Sequence, residues 1–246
     1  MTEEAALFQF GMIGVGAWGK NLINSVQDTS ETVRFVAAAT RSPAKVVDFA
    51  HGHGIALGDD EGSVLNDGSI DAVVVSSPAL AHVPQITAAL EAGKHVLAIK
   101  PLALTRVDAQ ALYELAEEKG LFLGLGYERC FLPAADEFRR RVRAGELGRI
   151  VHVEGAYCVP RYLSMTRDDW KTDSTAAPPG ALADHILYMM IELLGPVEQL
   201  LAQGQRLATD LDVCDTSTVT LKFGNGASGL LTAIGVTAPF ARLQFF

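Results

Sequence analysis

The stretch LFQFGMIGVGAWGKNLINSV, residues 7–26, joins three features in a fixed order. An apolar run of strand length, 7–13, is followed at once by Gly14-Val15-Gly16-Ala17-Trp18-Gly19 and by a helical pattern over 18–27. A Gly-x-Gly-x-x-Gly loop between a strand and a helix has a physical reading that the same glycines in an arbitrary loop lack. Gly14 permits a tight turn, Gly16 lets a pyrophosphate come close to the backbone, and Gly19 lets the helix pack against the strand. The amides at the helix start, around Ala17 and Trp18, would bind the anion. The alternative is a glycine-rich turn without a ligand, and the flanking strand and helix weigh against it.

The same rhythm continues to about residue 125. Short strands at 33–39, 72–76, 95–99 and 121–125 alternate with helical patterns at 43–50, 83–92 and 106–119, the last with Val107, Ala111, Leu112 and Leu115 on one stripe. The strands are apolar throughout instead of alternating, as expected when helices cover both sheet faces. Residues 1–126 therefore read as an α/β Rossmann domain with a doubly wound parallel sheet. Beyond Tyr127 come a helix at 133–144, a strand at 150–159, an irregular polar stretch at 161–179 and a helix at 182–194 that stops at Gly195-Pro196. Strands at 197–207, 216–223, 227–236 and 241–246 follow, the middle two joined by the hairpin signal Gly224-Asn225-Gly226. Residues 127–246 read as an α+β domain with an open, mainly antiparallel sheet.

Twenty-nine acidic against 20 basic side chains, a formal charge of −9, argue against nucleic acid or an anionic membrane as partner. The run Arg139-Arg140-Arg141-Val142-Arg143 reads as a solvated helix face. Met1-Thr2-Glu3-Glu4-Ala5 carries acids where a signal or transit peptide carries Lys or Arg, and no apolar stretch approaches the ~20 residues that cross a bilayer. The expectation is a soluble, cytoplasmic protein. Cys130, Cys158 and Cys214 are odd in number and far apart, as unpaired thiols of a reducing compartment would be. His51-Gly52-His53 has no ligand cluster beside it and reads as a surface turn, so no metal is expected.

In a nucleotide-binding sheet the adenosine ribose is read about 20 residues beyond the glycine loop, at the end of the second strand. A carboxylate there suits the 2′-hydroxyl of NAD, but this strand ends Ala39-Thr40-Arg41-Ser42, with no acid until Asp48. Arg41 and two hydroxyls suit a 2′-phosphate, so NADP(H) is preferred and NAD(H) stays open. His95-Val96-Leu97-Ala98-Ile99-Lys100-Pro101 sets a lysine at the carboxyl end of an inner strand, the edge where such sheets bind ligands. A half-buried ammonium there is costly unless it meets a ligand.

Taken together, Gly14–Gly19 with Trp18, Ser76-Ser77-Pro78 with His82 four residues on, Gly93-Lys94-His95-Val96-Leu97 leading to Lys100-Pro101, and Gly145-Glu146-Leu147-Gly148-Arg149-Ile150 resemble the glucose–fructose oxidoreductase / inositol dehydrogenase family, Gfo/Idh/MocA. The resemblance implies an NAD(P)-dependent oxidoreductase acting on a secondary alcohol of a sugar, inositol or related polyol. It makes Ser76, Ser77, Pro78 and His82 part of the cofactor site, and Lys100 the contact to both nicotinamide ribose and substrate hydroxyl. An ammonium near the reacting oxygen favours a developing alkoxide. Ile99 departs from the Glu-Lys-Pro triplet of the family, removing one hydrogen-bond acceptor near the cofactor.

The family places an Asp and, four residues on, an acid–base group on the helix facing the nicotinamide. His185 lies ten residues before the helix stop, with Ala181 at the Asp position and Asp184 adjacent; the other register pairs Asp184 with Tyr188. His185 is favoured, because an imidazole with a pKa near ~6.5 exchanges protons at neutral pH while a phenol near ~10 needs strong tuning. Tyr188 stays open. Tyr127-Glu128-Arg129 and Trp170-Lys171 match family segments that line the substrate pocket, and the family commonly forms homodimers or homotetramers through the open sheet face. At 246 residues the chain is shorter than family members usually are, so the second domain is expected to be incomplete. A reading from another class, a non-catalytic NADP(H)-binding regulatory protein, is motivated by Ile99, Ala181 and that shortness.

Overall fold

Six parallel strands form the first sheet. They are β1 (Phe8–Ile13), β2 (Val33–Ala39), β3 (Ala56–Gly58), β4 (Ala72–Val75), β5 (His95–Ile99) and β6 (Leu123–Gly126), in the spatial order β3-β2-β1-β4-β5-β6. The computed structural model describes residues 7–172, 182–238 and 242–245, and it divides into two compact units at Gly126/Tyr127. Within the first unit the helices are α1 (Ala17–Val26), α2 (Val47–Gly52), α3 (Gly62–Leu65), α4 (His82–Glu91) and α5 (Arg106–Glu118).

Alternate residues of the strands feed two separate cores, which is why the strands carry no polar face. Ile13, Val73, Val75, Val96 and Ala98 pack with Ile86 and Leu90 of α4 and Leu112 and Ala116 of α5. Met12, Phe35, Ala38 and Val74 pack on the other side with Ile23 of α1 and with Ala50 and Ile55. The strand order reverses beside β1, so β1 and β4 diverge into their loops at the position where ligands of such sheets bind.

Three sequence expectations change here. Strand β3 and helix α3, of three and four residues, add to the elements expected from the sequence, being too short to show a period. The α5 stripe is Leu112, Leu115 and Ala116, while Val107 is 78% exposed, so Val107 and Ala111 lie off the buried face. The expected helix at 83–92 begins at His82, which puts that residue at a helix start.

The second unit holds α6 (Pro133–Arg143), β7 (His152–Cys158), α7 (Asp184–Leu194), β8 (Val197–Gln205), β9 (Thr216–Phe223), β10 (Ser228–Ile234) and β11 (Arg242–Phe245). Its sheet runs β11-β7-β10-β9-β8. The β9–β10 hairpin forms as the Gly-Asn-Gly signal requires, and Ala227 N donates to Asn225 Oδ1 at 2.9 Å. The sheet is mainly antiparallel, but β7 and β10 run parallel, paired His152 to Ser228 through Cys158 to Ile234. Parallel neighbours need a long crossover, and α7, β8 and β9 supply it. One face buries Val153, Tyr157, Leu221, Phe223, Leu231 and Ala233 with Ile186, Met190 and Leu194 of α7. On β8 every residue beyond Val197 is exposed.

The arginine run on α6 is not uniformly solvated. Arg140 and Arg141 are exposed and pair with Glu137 and Glu146. Arg139, only 14% exposed, bonds to the Cys130 carbonyl at 2.5 Å and to Glu192 of α7 at 2.6 Å. No helix among the described residues is long and apolar enough to cross a membrane.

Candidate functional site

The glycine loop leaves β1 with Gly14 N donating to Ala39 O at 2.8 Å. Gly14 has φ +94°, and a Cβ there would stand 2.7 Å from the Ser76 and Ser77 backbone, so the turn and its contact with the loop after β4 both exclude a side chain. A Cβ on Gly19 would meet the Gly14 carbonyl oxygen at 2.4 Å, the close helix–strand approach. Gly16 differs: a Cβ on it would meet nothing within 4 Å. The space over the backbone at the start of α1 is therefore open, where the motif requires a phosphate to approach.

Helix α1 has no side-chain cap and no acid in its first turn, so the amides of Ala17, Trp18 and Gly19 keep their pull on an anion. Trp18 is 40% exposed. After β2, Thr40 is half-buried while Arg41 and Ser42 are exposed, and Arg41 makes no ion pair among the described residues. After β4, Ser76 Oγ is buried without a hydrogen-bond partner among them. First-turn amides, an orphaned hydroxyl and a guanidinium at one sheet edge form a donor set that fits a dinucleotide.

Ser77 Oγ donates to Gln85 Oε1, and Gln85 Nε2 donates to Glu61 Oε1 at 2.6 Å. Gln85 and Glu61 escaped the sequence reading, since nothing in their spacing announces the contact. Pro78 caps the turn that leads to His82. His82 is fully buried, with Nδ1 2.7 Å from the Pro101 carbonyl oxygen and Nε2 2.9 Å from that of Ser77, and burial lowers its pKa. Its ring thus faces backbone on both sides instead of offering a nitrogen to a ligand. Lys100 is half-buried just past β5, and Ile99, the residue that departs from the family triplet, is half-buried beside it.

In the second unit an aromatic group surrounds the start of α7. The Tyr127 ring stacks on Tyr188 with centroids 4.3 Å apart at 22°, and presents its edge to His185 at 6.0 Å. Tyr157 meets His185 edge-on at 5.6 Å. Arg129 lies over the Tyr157 ring, 5.0 Å from its centroid, and donates from Nη2 to its hydroxyl at 3.0 Å. Tyr157 was missed in the sequence, although the alternation of β7 puts Val153, Gly155 and Tyr157 on one buried face.

Burial shifts both phenols of this group upward. Burial, then the Asp184 carboxylate, pushes the Tyr127 phenol far above its ordinary range. Burial also raises Tyr188, followed by the nearby Cys130 and Glu192. A phenol raised in this way gives up its proton less readily, the opposite of the tuning a tyrosine base needs. His185 is 8% exposed on the same turn as Asp184.

Tyr127, Arg129, Asp184, His185 and Tyr188 are thus brought together. Lys171 turns towards Asp169, with Nζ 4.0 Å from its carboxylate. The Trp170 side chain, residue 181 and most of the polar stretch up to 179 lie outside the described residues. Among those described, no three His, Cys, Asp or Glu side chains are grouped to hold a metal, and His51 is exposed while His53 packs on Phe49.

Relatives align with both units. The chain is 30% identical over 179 residues to scyllo-inositol 2-dehydrogenase (NAD(+)) of Bacillus subtilis, covering 71% of this chain and 47% of that protein. It is 35% identical over 159 residues to dTDP-3,4-didehydro-2,6-dideoxy-alpha-D-glucose 3-reductase of Streptomyces violaceoruber, covering 65% and 46%. The chain therefore spans about half the length of these relatives. Scyllo-inositol dehydrogenase of Lactobacillus casei, solved with NAD(H) and scyllo-inositol, superposes with a TM-score of 0.86 at 20% identity, over 98% of this chain and 73% of that one, and so shares its fold. The profile described as an oxidoreductase family with an NAD-binding Rossmann fold, GFO_IDH_MocA, matches residues 8–127, and its C-terminal domain profile matches residues 136–246. With both profiles accounting for nearly all of its length, the chain belongs to the Gfo/Idh/MocA oxidoreductase family.

Proposed function

We propose that this protein is a nicotinamide-dependent oxidoreductase that interconverts a secondary alcohol and ketone on a sugar, inositol or related cyclic polyol. The observation that carries the reading is the steric pattern of the glycine loop. Side chains are excluded at Gly14 and Gly19 by the fold itself, whereas Gly16 is bare for a reason the fold does not supply. The first unit, residues 1–126, is the nucleotide-binding domain, and residues 127–246 carry the substrate and the surface for association into a homodimer or homotetramer.

The amides of Ala17, Trp18 and Gly19 would hold the phosphates, with Ser76 and Ser77 at the adjoining loop. Arg41, exposed and flanked by Thr40 and Ser42, favours the 2′-phosphate of NADP(H) over the 2′-hydroxyl of NAD(H). The nicotinamide, when bound, supplies the hydride acceptor or donor. Lys100 polarises the substrate oxygen, and its ammonium stabilises the charge that gathers there. His185 takes up or returns the hydroxyl proton, its orientation set by the edges of Tyr127 and Tyr157. Tyr127 and Tyr188, stacked as a pair, offer a flat surface to a sugar ring, and Arg129 and Lys171 offer donors to its hydroxyls.

Incubation with a panel of inositols, sugars and polyols, with either nucleotide, is expected to give reduced cofactor with at least one substrate and faster with NADP. Lys100→Met should then lower kcat by at least about 30-fold with a smaller change in nucleotide affinity. Nucleotide binding with no turnover across the panel would favour the non-catalytic reading that Ile99 motivates.

A further inference from the structure

The ring of His82 joins two loops at the edge of the first sheet. β4 and β5 are neighbours, paired Val75 to Ala98, so the chain leaves them side by side as Ser76-Ser77 and Lys100-Pro101. His82 opens α4 and lies at 0% exposure with Nε2 2.9 Å from the Ser77 carbonyl and Nδ1 2.7 Å from the Pro101 carbonyl. Carbonyl oxygens only accept, so each contact requires a proton on the facing nitrogen. A neutral imidazole has one to give, to one carbonyl or the other, and the imidazolium ties both loops at once. Removing the ring would take a donor from these half-buried carbonyls, next to the residue whose ammonium must be aimed.

We propose that His82 is a positioning residue for Lys100: through Nδ1 it fixes the Pro101 carbonyl, and with it the point from which the Lys100 side chain leaves the sheet edge. The link acts on the neighbouring peptide, not on substrate or nucleotide. It rests on the oxidoreductase reading only for its effect on turnover.

Two amides separate the two nitrogens, because an Asn side chain carries its NH2 near the place of Nδ1 and a Gln near that of Nε2. His82→Ala is expected to lower kcat by about 10-fold or more while nucleotide Kd changes less than about 3-fold. His82→Asn should restore most of kcat and His82→Gln little of it. The acylation rate of Lys100, followed by peptide mass spectrometry without substrate, should change with His82→Ala and return with His82→Asn. Equal rescue by both amides, or unchanged kcat and acylation in His82→Ala, overturns the proposal.

Should the variants not fold, nitrogen-15 NMR of the unaltered protein decides. Nδ1 carrying a proton at neutral pH supports the link, and Nδ1 as the bare nitrogen overturns it. If the unaltered protein turns over no substrate, the oxidoreductase reading fails, whereas the NMR and acylation results still decide the role of His82.

Discussion

The two units place chemistry in different parts of the chain. In the first, the candidate anion site is backbone: amides at the start of α1, a carbonyl that crowds Gly19 and a bare Gly16. In the second, the candidate site is side chains, with His185 held by the rings of Tyr127 and Tyr157 and Tyr188 stacked alongside. A backbone site depends on φ and on close approach, which a sequence expresses as glycines at fixed spacing. A side-chain site depends on tertiary packing, which brings Tyr127, Tyr157 and His185 together across 58 positions of separation that no local pattern records.

The contrast breaks first at Asp215, where the second unit shapes backbone with a side chain. The carboxylate, 1% exposed, accepts from the amides of Leu207, Ala208 and Thr209 at 2.8–3.1 Å and so shapes the turn between β8 and β9. Asp215→Ala strands three amides and is expected to cost about 3 kcal/mol or more in denaturant unfolding of the second unit. Asp215→Asn, which keeps one acceptor oxygen, should lose less. Equal losses for the two would show that packing, not hydrogen bonding, holds the turn.

A comparison inside the first unit sharpens the contrast. Gly19→Ala forces a methyl into the Gly14 carbonyl, so about 2 kcal/mol of stability should go, read as a lower Tm. Gly16→Ala meets no protein atom, so Tm should hold while nucleotide Kd rises by about 10-fold or more, measured by fluorescence titration. Normal nucleotide binding by Gly16→Ala would show that the open space over the loop is not where the phosphates lie.

The smallest effect concerns a thiol. Burial, with Glu192 next in importance, pushes the Cys130 pKa up to about 11. At pH 8 its thiol stays protonated, so iodoacetamide should modify the half-exposed Cys214 first and leave Cys130 untouched. In the unfolded chain the same thiol ionises near its ordinary value. This group's contribution to stability is therefore intact below that value and is lost as pH rises towards about 11. Rapid labelling of Cys130 at pH 8 would mean that α6 and α7 open together.

The Rossmann sheet was legible in the sequence because both of its faces are covered, which turns each inner strand into an apolar run. β3 and α3 were not, being shorter than one period of any pattern. Val107 looked like core by its helical spacing, yet it faces water, since helical phase is set by where α5 meets the sheet. Arg139 looked like its exposed neighbours until α7 brought Glu192 to it. At the candidate site, the glycines could be read from spacing alone, but the span of His82 between two carbonyls depends on β4 and β5 ending side by side.

The parallel pairing of β7 with β10 carries a consequence in time. His152 and its register partner Ser228 are 76 residues apart, and the other neighbour of β7 comes later still. At ~5–20 residues per second on a ribosome, β7 emerges about 4–15 seconds before the first strand that can pair with it. Throughout that interval both its edges are open, and Val153 and Tyr157 can gain α7 but not the rest of their sheet. The first sheet, finished at Gly126, is by then free to close. The second unit is the part of this protein for which a chaperone has a window.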